Sequence, residues 1–145
     1  MEQDEEVLDS PVGWVAKHIR RYVESDGKEG QMYQGFPSLL LTTRGRKSGL
    51  LRRTALIYGT EGDRTLLVAS NGGSAEHPAW YLNLVAHDEV EVQIGAEKFK
   101  ARARTASPEE KPALWQIMVK VFPRYKTYQT QAKREIPVVI LERIE

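Results

Sequence analysis

The chain has 145 residues, 41% of them hydrophobic and 28% charged, a formal net charge of +1 and no cysteine. That length and balance describe one soluble globular domain with enough chain to bury a real core. They exclude disulfides, thiolate nucleophiles and cysteine metal sites, are compatible with a reducing compartment, and weigh against a chain-wide attraction for nucleic acid.

Residues 1–11 open the chain as an acidic tail, with Glu2, Asp4, Glu5, Glu6 and Asp9, and are expected to be mobile. Residues 12–24 read as an amphipathic helix. Val12, Val15, Ala16, Ile19, Tyr22 and Val23 fall on one face, and Lys17, Arg20 and Arg21 lie opposite. Such a helix either caps its own domain or touches anionic lipid. No apolar run approaches the roughly 20 residues of a membrane span, and residues 1–9 carry the wrong charge for a secretory signal. The expected location is cytoplasmic, with weak peripheral contact at the inner face of the cell membrane through residues 12–24 as the alternative.

Residues 25–34 form a polar, glycine-containing linker, and strands follow near 39–43, 53–59 and 65–70, with Glu61-Gly62-Asp63 as a turn. The third strand stops at Ser70-Asn71-Gly72-Gly73. A helix then runs from His77 to Ala86, with Pro78 at its first position and Trp80, Tyr81, Leu84 and Val85 as its apolar face. Glu89 to Ile94 alternates with period two, turns at Gly95 and continues into Phe99 to Thr105, an antiparallel hairpin. Ser107-Pro108-Glu109-Glu110 is a capping box opening a helix to about Phe122. Pro123 interrupts it, residues 124–133 resume with Tyr125 and Tyr128 on one face, and residues 138–144 close the sheet. The pattern is α+β, with sequential strands favouring a barrel of mainly antiparallel strands over a doubly wound sheet.

The most informative segment is Phe36 to Thr60, which holds no acidic residue yet places Arg44, Arg46, Lys47, Arg52 and Arg53 around Gly45-Arg46-Lys47-Ser48-Gly49. Gly45 and Gly49 permit positive φ, so that amides can converge on one anion. Arg46 and Arg52 offer planar forks, and Lys47 and Ser48 add donors. A hairpin with a solvated basic tip is the plain alternative. At Ser70 to Leu84 the glycines let backbone approach a planar ligand and the helix start favours an anion or an electron-rich edge. There, Trp80 and Tyr81 as ordinary core aromatics are the alternative.

Other chemistries find no support. His18, His77 and His87 lack metal-ligand spacing, so no metal is expected; there is no Gly-x-Ser-x-Gly elbow, no Walker A spacing around Lys47 and no dinucleotide fingerprint. Basic residues interleaved with aromatics suit single strands, but an RNP-like aromatic motif is missing, and nucleic acid is not an expected partner.

Taken together, Thr42-Thr43-Arg44-Gly45-Arg46-Lys47-Ser48-Gly49, Ala69-Ser70-Asn71-Gly72-Gly73, His77-Pro78-Ala79-Trp80-Tyr81-Leu82-Asn83, Phe122-Pro123-Arg124-Tyr125-Lys126-Thr127-Tyr128-Gln129 and Arg134-Glu135-Ile136-Pro137 resemble the deazaflavin-dependent nitroreductase family. The resemblance implies a split β-barrel with packed helices, like that of flavin mononucleotide proteins, and coenzyme F420 as cofactor in its reduced form. It implies that Arg46, Lys47, Ser48 and Arg52 hold the phosphate and acidic tail. Val68, Ala69, Ser70 and Asn71, with Ala79, Trp80, Tyr81, Leu82 and Asn83, would line the deazaflavin and its ribityl chain. Arg53, Thr54, Ala55, Leu56 and Ile57 count as further coenzyme contacts. Tyr125, Tyr128 and Ser70 are the candidate catalytic residues, Tyr125 as the leading hydrogen-bond donor.

The function this implies is hydride transfer from reduced F420 to an electron-poor acceptor, a quinone first and a nitroaromatic second. A flavin mononucleotide oxidoreductase on the same barrel, and a non-catalytic carrier of deazaflavin or lipid, are the alternatives. The chain departs from the pattern of the family's best-known nitroreducing member at Phe122, where that member has tyrosine, and at Asn71, where it has lysine. Oligomeric state is not legible.

Overall fold

The computed structural model describes residues 7–10, 13–30, 32–33 and 35–144. Its elements run β1 (Val7–Asp9), α1 (Gly13–Glu24), β2 (Met32–Tyr33), β3 (Phe36–Arg44), β4 (Leu51–Ile57), β5 (Gly59–Glu61), β6 (Arg64–Val68), a short turn of 3₁₀ helix (Asn71–Gly73), α2 (Ala79–Ala86), β7 (Glu89–Ile94), β8 (Glu97–Thr105), α3 (Lys111–Val121), α4 (Arg124–Ala132) and β9 (Val138–Arg143).

The strands form one sheet in the order β1-β4-β3-β7-β8-β9-β6-β5, with β2 paired to β3. Every pairing is antiparallel except that of β1 with β4. β4 and β5 stand near opposite ends of that order, yet only Tyr58 separates them in sequence. The sheet therefore curls until its ends approach, and the Tyr58 amide donates to the Pro37 carbonyl at 3.2 Å. The result is the expected α+β barrel of mainly antiparallel strands.

Strand alternation sorts the side chains into two layers. Leu39, Leu41, Leu67, Val90, Val92, Val139 and Leu141 fill the interior, joined by Leu84 of α2. On the outside, Leu66, Val68, Val138 and Ile140 pack against Leu114 and Met118 of α3 and Tyr125 and Ala132 of α4. Leu40, between two interior leucines, points out and receives Val15, Ile19 and Tyr22 of α1. Burying such side chains stabilises by about 1.5–3 kcal/mol each. The fully buried Tyr22 adds polar anchors: its hydroxyl lies 3.1 Å from the Ser38 carbonyl and accepts from the Gly95 amide at 2.8 Å. α1 thus docks on its own barrel. No described helix is long and apolar enough to cross a membrane.

Local differences from the sequence reading have simple causes. Val7–Asp9, expected within the acidic tail, pairs in parallel with Leu51, Arg52 and Arg53; residues 1–6 and 11–12 of that tail and helix start lie outside the described residues. Pro78 caps α2 with extended backbone (ψ 153°) rather than starting it. Val85 is 60% exposed because Leu84 takes the core position and the next residue turns about 100° away. The capping box forms as read: the Ser107 amide donates to Glu110 Oε1 at 2.9 Å and the Glu110 amide to Ser107 Oγ at 3.2 Å.

Candidate functional site

The β3–β4 turn is closed by its own backbone. The Gly45 amide donates to the Leu50 carbonyl at 2.7 Å, Gly49 to Gly45 at 2.9 Å, and the Leu50 amide to Ser48 Oγ at 3.1 Å. Gly49 has φ +74°, as expected. Gly45 does not. Its requirement is space, since a Cβ there would sit 2.7 Å from Ser48 Oγ. The Arg46 amide and its Nη1 both donate to Oδ1 of buried Asn83, at 3.1 and 3.0 Å, and Asn83 Nδ2 donates to Thr43 Oγ1 at 3.3 Å. Asn83 therefore bolts the turn to α2 and β3. The amides of Gly45, Arg46, Gly49 and Leu50 are thus all engaged inside the protein.

The five cations are not equivalent. Arg53 is neutralised by Asp9, Nε to Oδ1 at 2.6 Å and Nη2 to Oδ2 at 3.2 Å. The acid absent from the local sequence arrives from β1, 44 residues away in the chain. Arg44 Nη1 donates to the Gly49 carbonyl at 2.8 Å. Among the described residues, Arg46, Lys47 and Arg52 have no carboxylate within ion-pair distance.

Beside this turn lies a groove of about 870 Å³. Arg46, Lys47, Ser48, Arg52, Arg53, Thr54, Ala55, Leu56 and Ile57 line one side, and Val68, Ser70, Asn71, Ala79, Trp80 and Asn83 another, with Tyr125 and Tyr128 beyond. Ala69, Tyr81 and Leu82 do not line it. Ala69 is fully buried, facing the other side of the chain from Val68 and Ser70. Tyr81 sits one position past Trp80 on α2 and reaches Thr105 Oγ1 at 2.8 Å instead. Leu82 is about 200° around α2 from Trp80.

The far end is aromatic. Phe122 packs edge-on against Phe36 and Tyr125, with centroids 4.8 and 4.9 Å apart, and Tyr128 stands 6.4 Å from Tyr125. Tyr125 is 5% exposed, yet its hydroxyl makes no hydrogen bond to a described residue. Burial, and then Tyr128, push this phenol well above the usual tyrosine range, so it stays a donor. The Ser70 hydroxyl, also at the groove, has no such partner either.

Sequence reasoning missed the N-terminal share of the groove: Leu8 and Asp9 from β1, Ser10 just after it, and Trp14, Val15 and His18 from α1. Periodicity marked the helix but could not say which strand it would meet. His18 Nε2 lies 3.4 Å from Ser38 Oγ, and burial lowers the pKa of this imidazole. Arg124, 6.0 Å over the Phe122 ring, adds a cation at the aromatic end.

The curled sheet thus carries an open groove whose lining includes three cations without a described carboxylate partner, Arg46, Lys47 and Arg52, and the ring of Tyr125. Residues 14–143 match the F420H(2)-dependent quinone reductase family, and the chain belongs to it. It is 40% identical to the F420H(2)-dependent quinone reductase Rv1261c of Mycobacterium tuberculosis (strain H37Rv), covering 90% of this chain and 96% of that one. A solved F420-H2 dependent reductase, FDR-A, superposes with a TM-score of 0.68 at 40% identity over 73% of this chain and 94% of its own. Another solved structure, described as a domain-swapped dimer, gives a TM-score of 0.71 at 37% identity over 92% of this chain and all of its own. A heme binding protein from Mycobacterium smegmatis, at 16% identity and a TM-score of 0.58, shares the fold alone. The fold is split-barrel-like, and the resemblance seen in the sequence is shown.

Proposed function

We propose that the protein is an oxidoreductase that uses reduced coenzyme F420 to reduce a quinone, and that the groove described above is where both bind. The observation that carries the reading is one groove lined both by Arg46, Lys47 and Arg52, none of them paired with a described carboxylate, and by Tyr125, whose ring is buried and whose hydroxyl has no partner among the described residues. The residues present fit the coenzyme. A phosphate and an acidic tail need several unpaired cations. Those cations are available, and Arg53 is not one of them, because Asp9 already holds it.

In this reading Arg46, Lys47, Ser48 and Arg52 would hold the anionic end, and Thr54 to Ile57, Ser70, Asn71, Ala79 and Trp80, which line the same groove, would line the deazaflavin and its ribityl chain. When bound, reduced F420 supplies a hydride, and a quinone that accepts it with a proton becomes a hydroquinone. The protein's share is positioning and polarisation. Tyr125 donates its Oη–H to the acceptor oxygen as negative charge develops there, and Tyr128 is the second donor at the same wall. Phe122 packs edge-on between Phe36 and Tyr125 and fixes the Tyr125 ring, and a hydrogen bond made at so buried a ring is stronger than one in open water.

Nitroaromatics are the secondary acceptors of this reading. Their oxygens need to be held in place, and Phe122 offers none of the hydroxyl that would help. For location, α1 has Val15, Ile19 and Tyr22 committed to the barrel and Trp14 at the groove, leaving Lys17, Arg20 and Arg21 as its basic residues. We therefore place the protein in the cytoplasm, with at most weak peripheral contact with a bilayer. Full-length protein should show negligible co-sedimentation with anionic vesicles; salt-sensitive co-sedimentation lost on deletion of residues 1–23 would reverse this placement.

The deciding experiment follows the absorbance of reduced F420 with purified protein, before and after a quinone is added. Reoxidation only when protein and quinone are both present supports the enzyme. Binding without turnover indicates a carrier, and tight binding of flavin mononucleotide with no binding of F420 indicates the flavin alternative.

A further inference from the structure

Between the two ends of the groove, the chain from Ser70 to Glu76 adopts a conformation it is poorly suited to hold alone. Asn71, Gly72 and Gly73 have φ of +49°, +64° and +85°, three successive left-handed residues, of which one carries a Cβ. Ser70, Asn71 and Gly72 of this turn line the groove. The turn's own bonds are short-range: Asn71 Nδ2 donates to the Glu76 carbonyl at 3.0 Å, the Glu76 amide to Ser74 Oγ at 3.2 Å, and the amides of Gly73 and Ser74 to the carbonyls of Ser70 and Asn71 at 2.9 and 3.1 Å. A side chain from the loop after α4 ties the carbonyls of this turn to the rest of the protein. Arg134 Nε donates to the Ser74 carbonyl at 3.0 Å, and Nη2 lies 3.3, 3.1 and 3.1 Å from the carbonyls of Ala69, Ser70 and Glu76. Nη1 meets Nδ1 of His77 at 3.1 Å.

Arg134 has no carboxylate partner among the described residues, so all its contacts are with neutral acceptors of one turn. A guanidinium suits this, because its donors radiate in a rigid plane wide enough to reach carbonyls up to seven residues apart in sequence, from Ala69 to Glu76. A lysine ammonium is a point charge and would satisfy a fraction of them. The base of Arg134 is itself braced: Gln129 of α4 donates from Nε2 to the Arg134 carbonyl at 2.7 Å and accepts at Oε1 from the Ile136 amide at 3.0 Å. The Ala69 amide donates to the Pro137 carbonyl at 3.0 Å, fixing the turn's entry. We infer that Arg134 is a positioning residue for the coenzyme, acting through the 70–76 turn to hold Ser70 and Asn71 where they face the ring. The inference rests on the proposed use of the groove.

Side-chain replacement should release the turn and leave α4 in place, because Tyr125 and Ala132 are held in the outer core and the Gln129 brace grips Arg134 only by its main chain. R134K and R134Q are therefore compared with the unaltered protein. Expected for both is a Kd for reduced F420 about tenfold weaker, with the quinone KM within about twofold, a split that general destabilisation does not produce. Amide hydrogen exchange of the protein alone should show faster exchange confined to residues 71–76, with strands β7 and β8 unchanged. Coenzyme affinity and turn protection retained in R134K would overturn the inference, as would exchange that rises equally across the sheet. If the unaltered protein binds no F420, the functional reading falls and this inference with it; normal binding in all three proteins sinks the inference alone.

Discussion

The two ends of the groove are built in opposite ways. The basic end is a hairpin tip whose cations, glycines and closing hydrogen bonds come from one run of ten residues, Arg44 to Arg53, most of it exposed. The aromatic end is more deeply set and joins two distant pieces, Phe36 of β3 and the run from Phe122 to Tyr128 that ends in α4, with Tyr125 buried and the other rings partly covered. An exposed tip keeps its charges hydrated, so it suits affinity for a charged, mobile tail. A partly buried aromatic wall carrying the Tyr125 and Tyr128 hydroxyls suits chemistry, because a hydrogen bond made there is less diluted by water than one at an exposed tip.

That contrast predicts the largest effect at the buried end. Tyr125→Phe should lower kcat for quinone reduction by about 10²-fold, within the range for losing a positioned donor, while the Kd for reduced F420 changes little. Because burial raises the Tyr125 pKa, its phenol stays protonated past the ordinary tyrosine value of 10.0, and kcat should show no alkaline fall there from this group. An equal loss of affinity and kcat would mean Tyr125 only packs.

The exposed end should show the reverse signature. Lys47→Ala and Arg52→Ala should each weaken coenzyme binding by about 1–3 kcal/mol, with a smaller loss at high salt and kcat at saturation preserved. Titration of reduced F420 at two ionic strengths checks this, and unchanged affinity in both variants would remove the basic turn from the site.

How much of each end could be read from sequence follows from the same contrast. The hairpin tip was legible because its signal is contiguous: two glycines, a serine and cations without a local acid. The Ser107–Glu110 capping box was legible for the same reason. What stayed hidden were partners with large sequence separation. Asp9 neutralises Arg53 only because a three-residue strand pairs in parallel with β4, and so short an edge strand has almost no local pattern. The division of α2 into groove-facing Trp80 and Asn83 and outward Tyr81 depends on how the helix is rotated against the barrel. Helical periodicity identified an apolar face there, but misjudged Val85, since the face was drawn one residue too wide. Arg134 stood inside a recognised block, yet nothing local says that its donors converge on a turn 58 to 65 residues earlier.

A gain of function at the aromatic end comes next in size. Phe122 touches Tyr125 and Tyr128 without a hydroxyl of its own, with ring centroids 4.9 and 6.3 Å away. Quinones gain mainly from stacking and burial, so the missing hydroxyl costs them little, whereas a nitro group needs its oxygens held. Wild-type protein should reduce quinones with weak or no activation of bicyclic nitroimidazoles, and Phe122→Tyr should raise kcat/KM on the nitro acceptor several-fold, by about 1 kcal/mol, with the quinone value within about twofold. Preference of the unaltered protein for the nitroimidazole would show the hydroxyl argument to be wrong.

The smallest effect belongs to the pair that joins the N-terminal strand to the basic end. Asp9 grips Arg53 through two hydrogen bonds in a half-exposed setting, and both residues line the groove. Asp9→Asn keeps an oxygen for Arg53 but removes one negative charge from the neighbourhood of Arg46, Lys47 and Arg52. An anionic coenzyme should then bind more tightly by about 0.2–1 kcal/mol at low salt, the usual worth of a half-exposed charge, and the gain should vanish as ionic strength rises and the Debye length shrinks to a few ångströms. Weaker binding at every salt concentration would give the opposite lesson. It would mean that β1 must be charge-clamped to Arg53 for the groove wall to form, and that the two ends of the site are less independent than their construction suggests.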